Sequence, residues 1–113
     1  QELLSDIKSI NLPIKQKDFA ENIYWVFPVT LKDDYPKTAK EVMKELGAKG
    51  IGTRPFFYPM HTQPVFNKMG LFVDEEYPNA IKLYERGFYI PSGLAITEEQ
   101  IKQVSKFLHE VLV

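Results

Sequence analysis

Cysteine is absent from the 113 residues. That excludes disulfides, thiolate metal sites and thiol catalysis, and is compatible with a reducing cytoplasm. Histidine is scarce: only His61 and His109 occur. Two separated imidazoles, with no cysteine and no H-E-x-x-H pattern, do not make an ordinary zinc set, so no metal is expected. An excess of one charge is missing too. With 14 basic and 15 acidic side chains the formal charge is −1. This offers no bulk attraction to nucleic acid or an anionic membrane, both of which favour a basic patch. No apolar run is long enough to span a bilayer, and Gln1–Asp6 lack the basic start and apolar stretch of a signal peptide. Ser92 stands in Pro91-Ser92-Gly93 rather than G-x-S-x-G and reads as a turn serine. Gly50-Ile51-Gly52 is followed by Phe56 and Phe57 rather than by a third glycine and a helix, so it is not a dinucleotide fingerprint.

The length fits one domain, and a hydrophobic fraction of 44% is ordinary for a globular chain. The opening residues suggest a helical turn at Leu3, Leu4 and Ile7, then an extended Leu12-Pro13-Ile14. Ile23, Trp25, Phe27, Val29 and Leu31 alternate with Tyr24, Val26, Pro28 and Thr30, the period-two pattern of a strand. Pro28 suggests an edge position or a bulge. Thr38-Ala39-Lys40-Glu41 is a capping box opening a helix through Val42, Met43 and Leu46, with Gly47 as its stop. Ile51–Phe57 predicts a second strand, and Asn67–Gly70 a loop or single turn. Pro78 and Gly87 bracket a second helix. Phe88–Pro91 predicts a short strand and Ser92–Ile96 a loop. A second capping box at Thr97–Gln100 opens a final helix with Ile101, Val104, Leu108, Val111 and Leu112 on one face. The order predicts an α/β two-layer sandwich: a small, mainly antiparallel or mixed sheet with helices on one face.

Candidate chemistry concentrates in Gly50–Pro64. Pro55, Pro59 and Pro64 fix φ and push their predecessors toward extended geometry, so the segment is a strand entering a stiff loop. Arg54 at the strand end suits bidentate recognition of phosphate or carboxylate; its ordinary reading is a surface ion pair. His61, two residues from Gln63, is a possible ligand contact or a loop histidine packed on Phe57 or Tyr58. His109 reads as a surface cation near a helix end. Asp33-Asp34 and Asp74-Glu75-Glu76 read as solvated charge.

Four blocks carry a family resemblance. They are Asn22-Ile23-Tyr24-Trp25-Val26-Phe27, Leu46 through Arg54, Phe56 through Pro64, and Ile90 through Ile101. In these the chain resembles the C-terminal small domain of the DegT/DnrJ/EryC1/StrS family, pyridoxal-phosphate-dependent fold-type I aminotransferases acting on nucleotide-linked keto sugars. The Thr53-Arg54-Pro55-Phe56-Phe57 variant looks most like the perosamine-synthase branch, which aminates a GDP-linked 4-keto-6-deoxy sugar. The resemblance implies residues 1–21 as a lead-in from a missing large domain and 22–113 as the small domain. It implies that the Schiff-base lysine and most cofactor ligands lie outside this chain, since no lysine here sits in the family's glycine-rich context. No catalytic or cofactor-binding residue is therefore expected, and the chain alone should not transaminate. It also implies pyridoxal 5'-phosphate, a nucleotide-sugar substrate, an amino-acid donor and a homodimeric, cytoplasmic parent. Arg54 and His61 would contact the diphosphate or sugar, Gln63 would support His61 or the sugar hydroxyls, and Phe57 and Tyr58 would form an apolar wall. Two alternatives are a pyridoxal-phosphate sugar dehydratase of the same family and a free-standing binding module without catalysis.

Overall fold

A computed structural model describes residues Gln1–Val113 throughout. Strands β1 (Ile10–Asn11), β4 (Phe27–Leu31), β5 (Arg54–Pro55) and β6 (Gly87–Ile90) form one sheet in the order β1-β4-β6-β5. All its pairings are antiparallel, within the expected fold class. Strands β2 (Gln16–Lys17) and β3 (Ala20–Glu21) make a separate exposed hairpin. The helices are α1 (Ala39–Ala48), α2 (Pro64–Lys68), α3 (Pro78–Arg86) and α4 (Glu98–Leu112).

The pairing of β4 with β6 sets Phe27 opposite Ile90 and Val29 opposite Phe88. Side chains alternate across a strand, so these residues share a face with Leu31, and with Ile10 opposite it. Val42 and Leu46 of α1 and Val104, Leu108, Val111 and Leu112 of α4 join them in a single core. Leu4, Ile7 and Ile10, from the expected lead-in, belong to that same core. Both capping boxes form: Thr38 accepts from the Glu41 amide and Thr97 from the Gln100 amide, and each partner side chain reaches back.

Four local expectations need correction. The strand starts at Phe27 rather than Ile23. Asn22 is the cause: its Oδ1 accepts the Tyr24 amide at 2.8 Å, its amide donates to the Ile14 carbonyl at 3.1 Å, and Tyr24 takes φ 50°. Ile23 and Trp25 are consequently 83% and 71% exposed. Pro28 lies in an interior strand, not at an edge, but β1 reaches only Thr30 and Leu31. One flank of β4 is open beside Pro28, so a residue without an N–H is tolerated. The α1 stop is Gly50, not Gly47. Gly50 has φ 79°, its amide bonds the Gly47 carbonyl, and the Ile51 amide bonds Leu46. This is a Schellman ending with buried Ile51 against buried Leu46. The second expected strand shrinks to Arg54–Pro55, since the closely spaced prolines supply no ladder donors.

Where a loop or single turn is expected at Asn67–Gly70, the structure has helix α2, which begins three residues earlier at Pro64 and ends at Lys68. Pro64 stands at its first position and Gly70, at φ 74°, ends it. Arg86, at the end of α3, donates to the carbonyls of Lys32, Tyr35 and Lys37 and so fixes the β4–α1 turn. The N-terminal segment is tied to α4: Ser105 Oγ donates to the Leu3 carbonyl at 2.9 Å and Ser9 Oγ to the Leu112 carbonyl at 2.9 Å. His109, expected as a surface cation, completes this clasp. Its Nδ1 faces the Ser105 carbonyl at 2.8 Å and its Nε2 the Asp6 carboxylate at 2.9 Å.

Two predictions follow from this packing. A methyl group at Gly87 would overlap the Phe56 ring and the Leu83 carbonyl oxygen. Gly87→Ala should therefore lower unfolding free energy by about 1–3 kcal/mol, read by urea denaturation; an unchanged midpoint would refute the close approach. Both ring nitrogens of His109 face acceptors, so the doubly protonated ring fits best. These hydrogen bonds, to Ser105 first and then Asp6, raise its pKa above 6.5, while the bond from His109 holds Asp6 below 3.8. The raised histidine contributes stability that is complete below pH 6.5 and lost as pH rises through its folded value. The depressed aspartate contributes above pH 3.8 and loses it as pH falls through its folded value. Thermal melting from pH 5 to 9 should show a decline at the alkaline end that His109→Gln removes, small because Asp6 is largely exposed.

Candidate functional site

The register that builds the core also builds the opposite face of the sheet. Pro28 lies opposite Tyr89, and Tyr89 opposite Arg54. Paired residues share a face, so Pro28, Tyr89 and Arg54 form a row across β4, β6 and β5, away from the core. Phe56 lies two residues beyond Arg54, hence on the same side, and packs on Tyr89 with ring centroids 4.7 Å apart. Phe57 meets Tyr89 edge-on at 6.4 Å and is 79% exposed.

Arg54 is exposed and has no carboxylate partner. The ion pairs of the chain are Lys37–Glu45, Lys49–Glu110, Lys82–Asp33 and His109–Asp6. The ordinary reading of Arg54 as one half of a surface ion pair is thus absent. Its guanidinium is free for an external anion, on an edge strand held by its pairing with β6.

From the sheet edge the chain runs past α3. Tyr58 meets Tyr84 edge-on at 5.0 Å, so it faces a different partner from Phe57. A single turn at Met60–Thr62 follows. His61 sits there, half-buried, 4.9 Å from the Tyr77 ring, rather than on Phe57 or Tyr58. The Gln63 amide donates to the Tyr58 carbonyl at 3.3 Å and so braces the loop on itself; it makes no bond to His61.

His61 lines a cleft of about 710 Å³ with Asp33, Glu75, Glu76, Glu85, Lys82 and Arg86 among its walls. Four carboxylates there face two cations. Lys82 is paired to Asp33 at 2.7 Å, and Arg86 is committed to backbone carbonyls. Tyr77 donates to Glu75, and that hydrogen bond raises the phenol's pKa above 10.0. The field in this cleft opposes a phosphate. Arg54 does not line it, so the structure separates two candidate residues: an anion-ready row at Arg54 and an acidic cleft at His61. A second, more apolar groove of about 670 Å³, between the N-terminal turn and α4, contains none of the candidate residues.

Tyr89 is the residue of this row that the sequence reading did not single out. Its signal was the Phe88-Tyr89-Ile90 alternation, which places the middle ring on the other face, but its neighbour Arg54 follows only from strand register.

Pyridoxal 5'-phosphate does not fit these residues. It needs a lysine with a depressed pKa, in a dry or cationic setting. The lysines lining the two clefts, Lys82 and Lys15, are exposed, and Lys82 is paired with Asp33. Nor does any group of three or more His, Cys, Asp or Glu side chains converge as metal ligands. No helix is long and apolar enough to cross a membrane.

The chain is 30% identical over 96 residues to GDP-perosamine synthase of Caulobacter vibrioides, covering 81% of this chain and 24% of that relative. Among solved structures, it superposes on Helicobacter pylori PseC, an aminotransferase involved in the biosynthesis of pseudoaminic acid. The TM-score is 0.83 at 12% identity, over 98% of this chain and 29% of that one. It also superposes on Escherichia coli GDP-4-keto-6-deoxy-D-mannose-3-dehydratase with bound hydrated PLP. Here the TM-score is 0.68 at 18% identity, over 95% of this chain and 27% of the other. These two likenesses establish the fold. The chain thus spans only about a quarter of the length of such relatives. The family model for the DegT/DnrJ/EryC1/StrS aminotransferase family matches residues 1–109, and the chain belongs to that family.

Proposed function

We infer that this chain is the small domain of a longer, pyridoxal-phosphate-dependent enzyme that transfers an amino group to a nucleotide-linked keto-deoxy sugar of the perosamine type. The observation that carries the reading is Arg54: a guanidinium without an internal partner, on an edge strand, beside exposed and half-buried aromatic rings. A guanidinium fork grips phosphate oxygens, and aromatic rings offer a wall to a flat or sugar ring. The likeness to a GDP-perosamine synthase supports the same substrate class. The cofactor would supply the amino-transfer chemistry from the remainder of the enzyme. This chain would bind and orient the nucleotide sugar, with Arg54 on its diphosphate, Phe57 and Tyr58 walling it, and His61 and Gln63 near the sugar. The amino donor would be an amino acid, and the parent a cytoplasmic homodimer.

The likeness to the dehydratase favours one second reading, loss of a hydroxyl from a similar sugar nucleotide. The residue that would decide lies outside these 113 positions. In the intact enzyme, Arg54→Ala should raise KM for a GDP-linked 4-keto-6-deoxy sugar about tenfold to a hundredfold, and His61→Ala should lower turnover or affinity. Steady-state kinetics with mass detection of the aminated product check both. Unchanged constants in both variants would sink the site assignment, and a dehydrated product would select the second reading.

A further inference from the structure

We propose that Tyr89 is a substrate-binding residue, its phenol hydroxyl donating beside Arg54 to the diphosphate of a nucleoside diphosphate; this rests on the sugar-nucleotide reading and adds a residue to it. The argument starts from register. Tyr89 and Arg54 are Cα partners across β6 and β5, so their side chains leave the same face of the sheet as neighbours. The ring of Tyr89 is held by Phe56 at 4.7 Å and by the edge contact of Phe57 at 6.4 Å. Phe56 in turn is seated against Gly87, where a side chain would collide with it.

A phenol so placed would ordinarily spend its hydroxyl on an internal acceptor, as Tyr35 does on the Val111 carbonyl and Tyr77 on Glu75. Tyr89 does not. Its hydroxyl makes no hydrogen bond within the chain, and it is not buried, since Arg86 Nε is the sole buried side-chain nitrogen or oxygen without a partner. The row therefore presents two unused donor groups on cross-strand neighbours, one cationic and one neutral.

That pairing discriminates between anions. A carboxylate's two oxygens are satisfied by the fork of a single guanidinium. A diphosphate has further acceptor oxygens, and a neutral hydroxyl can serve one without adding charge. The acidic cleft around His61 provides no competing anion site. The preferred ligand is thus the diphosphate of the sugar nucleotide and not the carboxylate of the amino donor.

The test is Tyr89→Phe in the intact enzyme, which keeps the ring stack and removes one oxygen. Calorimetric titration with GDP, and KM for the sugar nucleotide and for the amino donor, are the readouts. The expected result is about tenfold weaker GDP binding and a similar rise in the sugar-nucleotide KM, with the donor KM and the melting temperature unchanged. Tyr89→Ala should do the same and also loosen the Phe57 wall. Unchanged GDP affinity with amino transfer intact would overturn the role of Tyr89 and leave the sugar-nucleotide reading standing. A rise confined to the donor KM would overturn it in favour of a carboxylate site. If the wild type neither binds GDP nor transfers an amino group to such a sugar, both fall together.

Discussion

The antiparallel register between β4 and β6 is the constraint on which the rest depends. Setting Val29 opposite Phe88 puts the most deeply buried strand residues on one face, where α1 and α4 cover them. The same register leaves Pro28 and Tyr89 on the other face, and the pairing of β5 with β6 adds Arg54. A slip of one residue would exchange the faces: Phe88 would meet solvent and Tyr89 the core. The core and the Pro28–Tyr89–Arg54 row are placed by one set of hydrogen bonds.

Sequence reasoning succeeded where a signal is local. The capping boxes at Thr38 and Thr97 start their helices as read, because a cap is settled within four residues. A small sheet, mainly antiparallel or mixed, with covering helices followed from the order of elements; that all its pairings are antiparallel came from the structure. It failed where a nonlocal contact decides. The alternation from Ile23 to Leu31 is genuine, but Asn22, anchored to the Ile14 carbonyl, turns Tyr24 into a left-handed conformation and throws Trp25 outward. Gly47 and Gly50 both lie near the end of α1; the positive φ that only a side-chain-free residue adopts cheaply selects Gly50. Gly87 does stand just past the end of α3, as read, but its φ of −108° does not require glycine. What requires glycine there is the approach of Phe56, from a segment more than a helix away.

The candidate site was legible in part for the same reason. Arg54 and the proline-bounded loop announce themselves by composition. Their separation into a sheet row and an acidic cleft does not, because Asp33 and Lys82 reach the cleft from different elements. Tyr89 stood immediately before the matched block that opens at Ile90, yet its partnership with Arg54 exists only after two strands are paired. Residue type identifies who is able to bind an anion; register decides who stands beside whom.

The clasp between the N-terminal turn and α4 bears on how the domain is made. Ser105 bonds the Leu3 carbonyl across 102 residues and Ser9 bonds Leu112 across 103. Contacts of such separation require nearly the whole segment to close into a loop before they form, and they slow folding relative to local contacts. During synthesis the N-terminal turn emerges first and waits for the last helix. Leu4 and Ile7 stay without their α4 partners until residues 104–112 have left the ribosome. The core of this domain is a late product of translation, closed by the contacts between its first turn and its last helix.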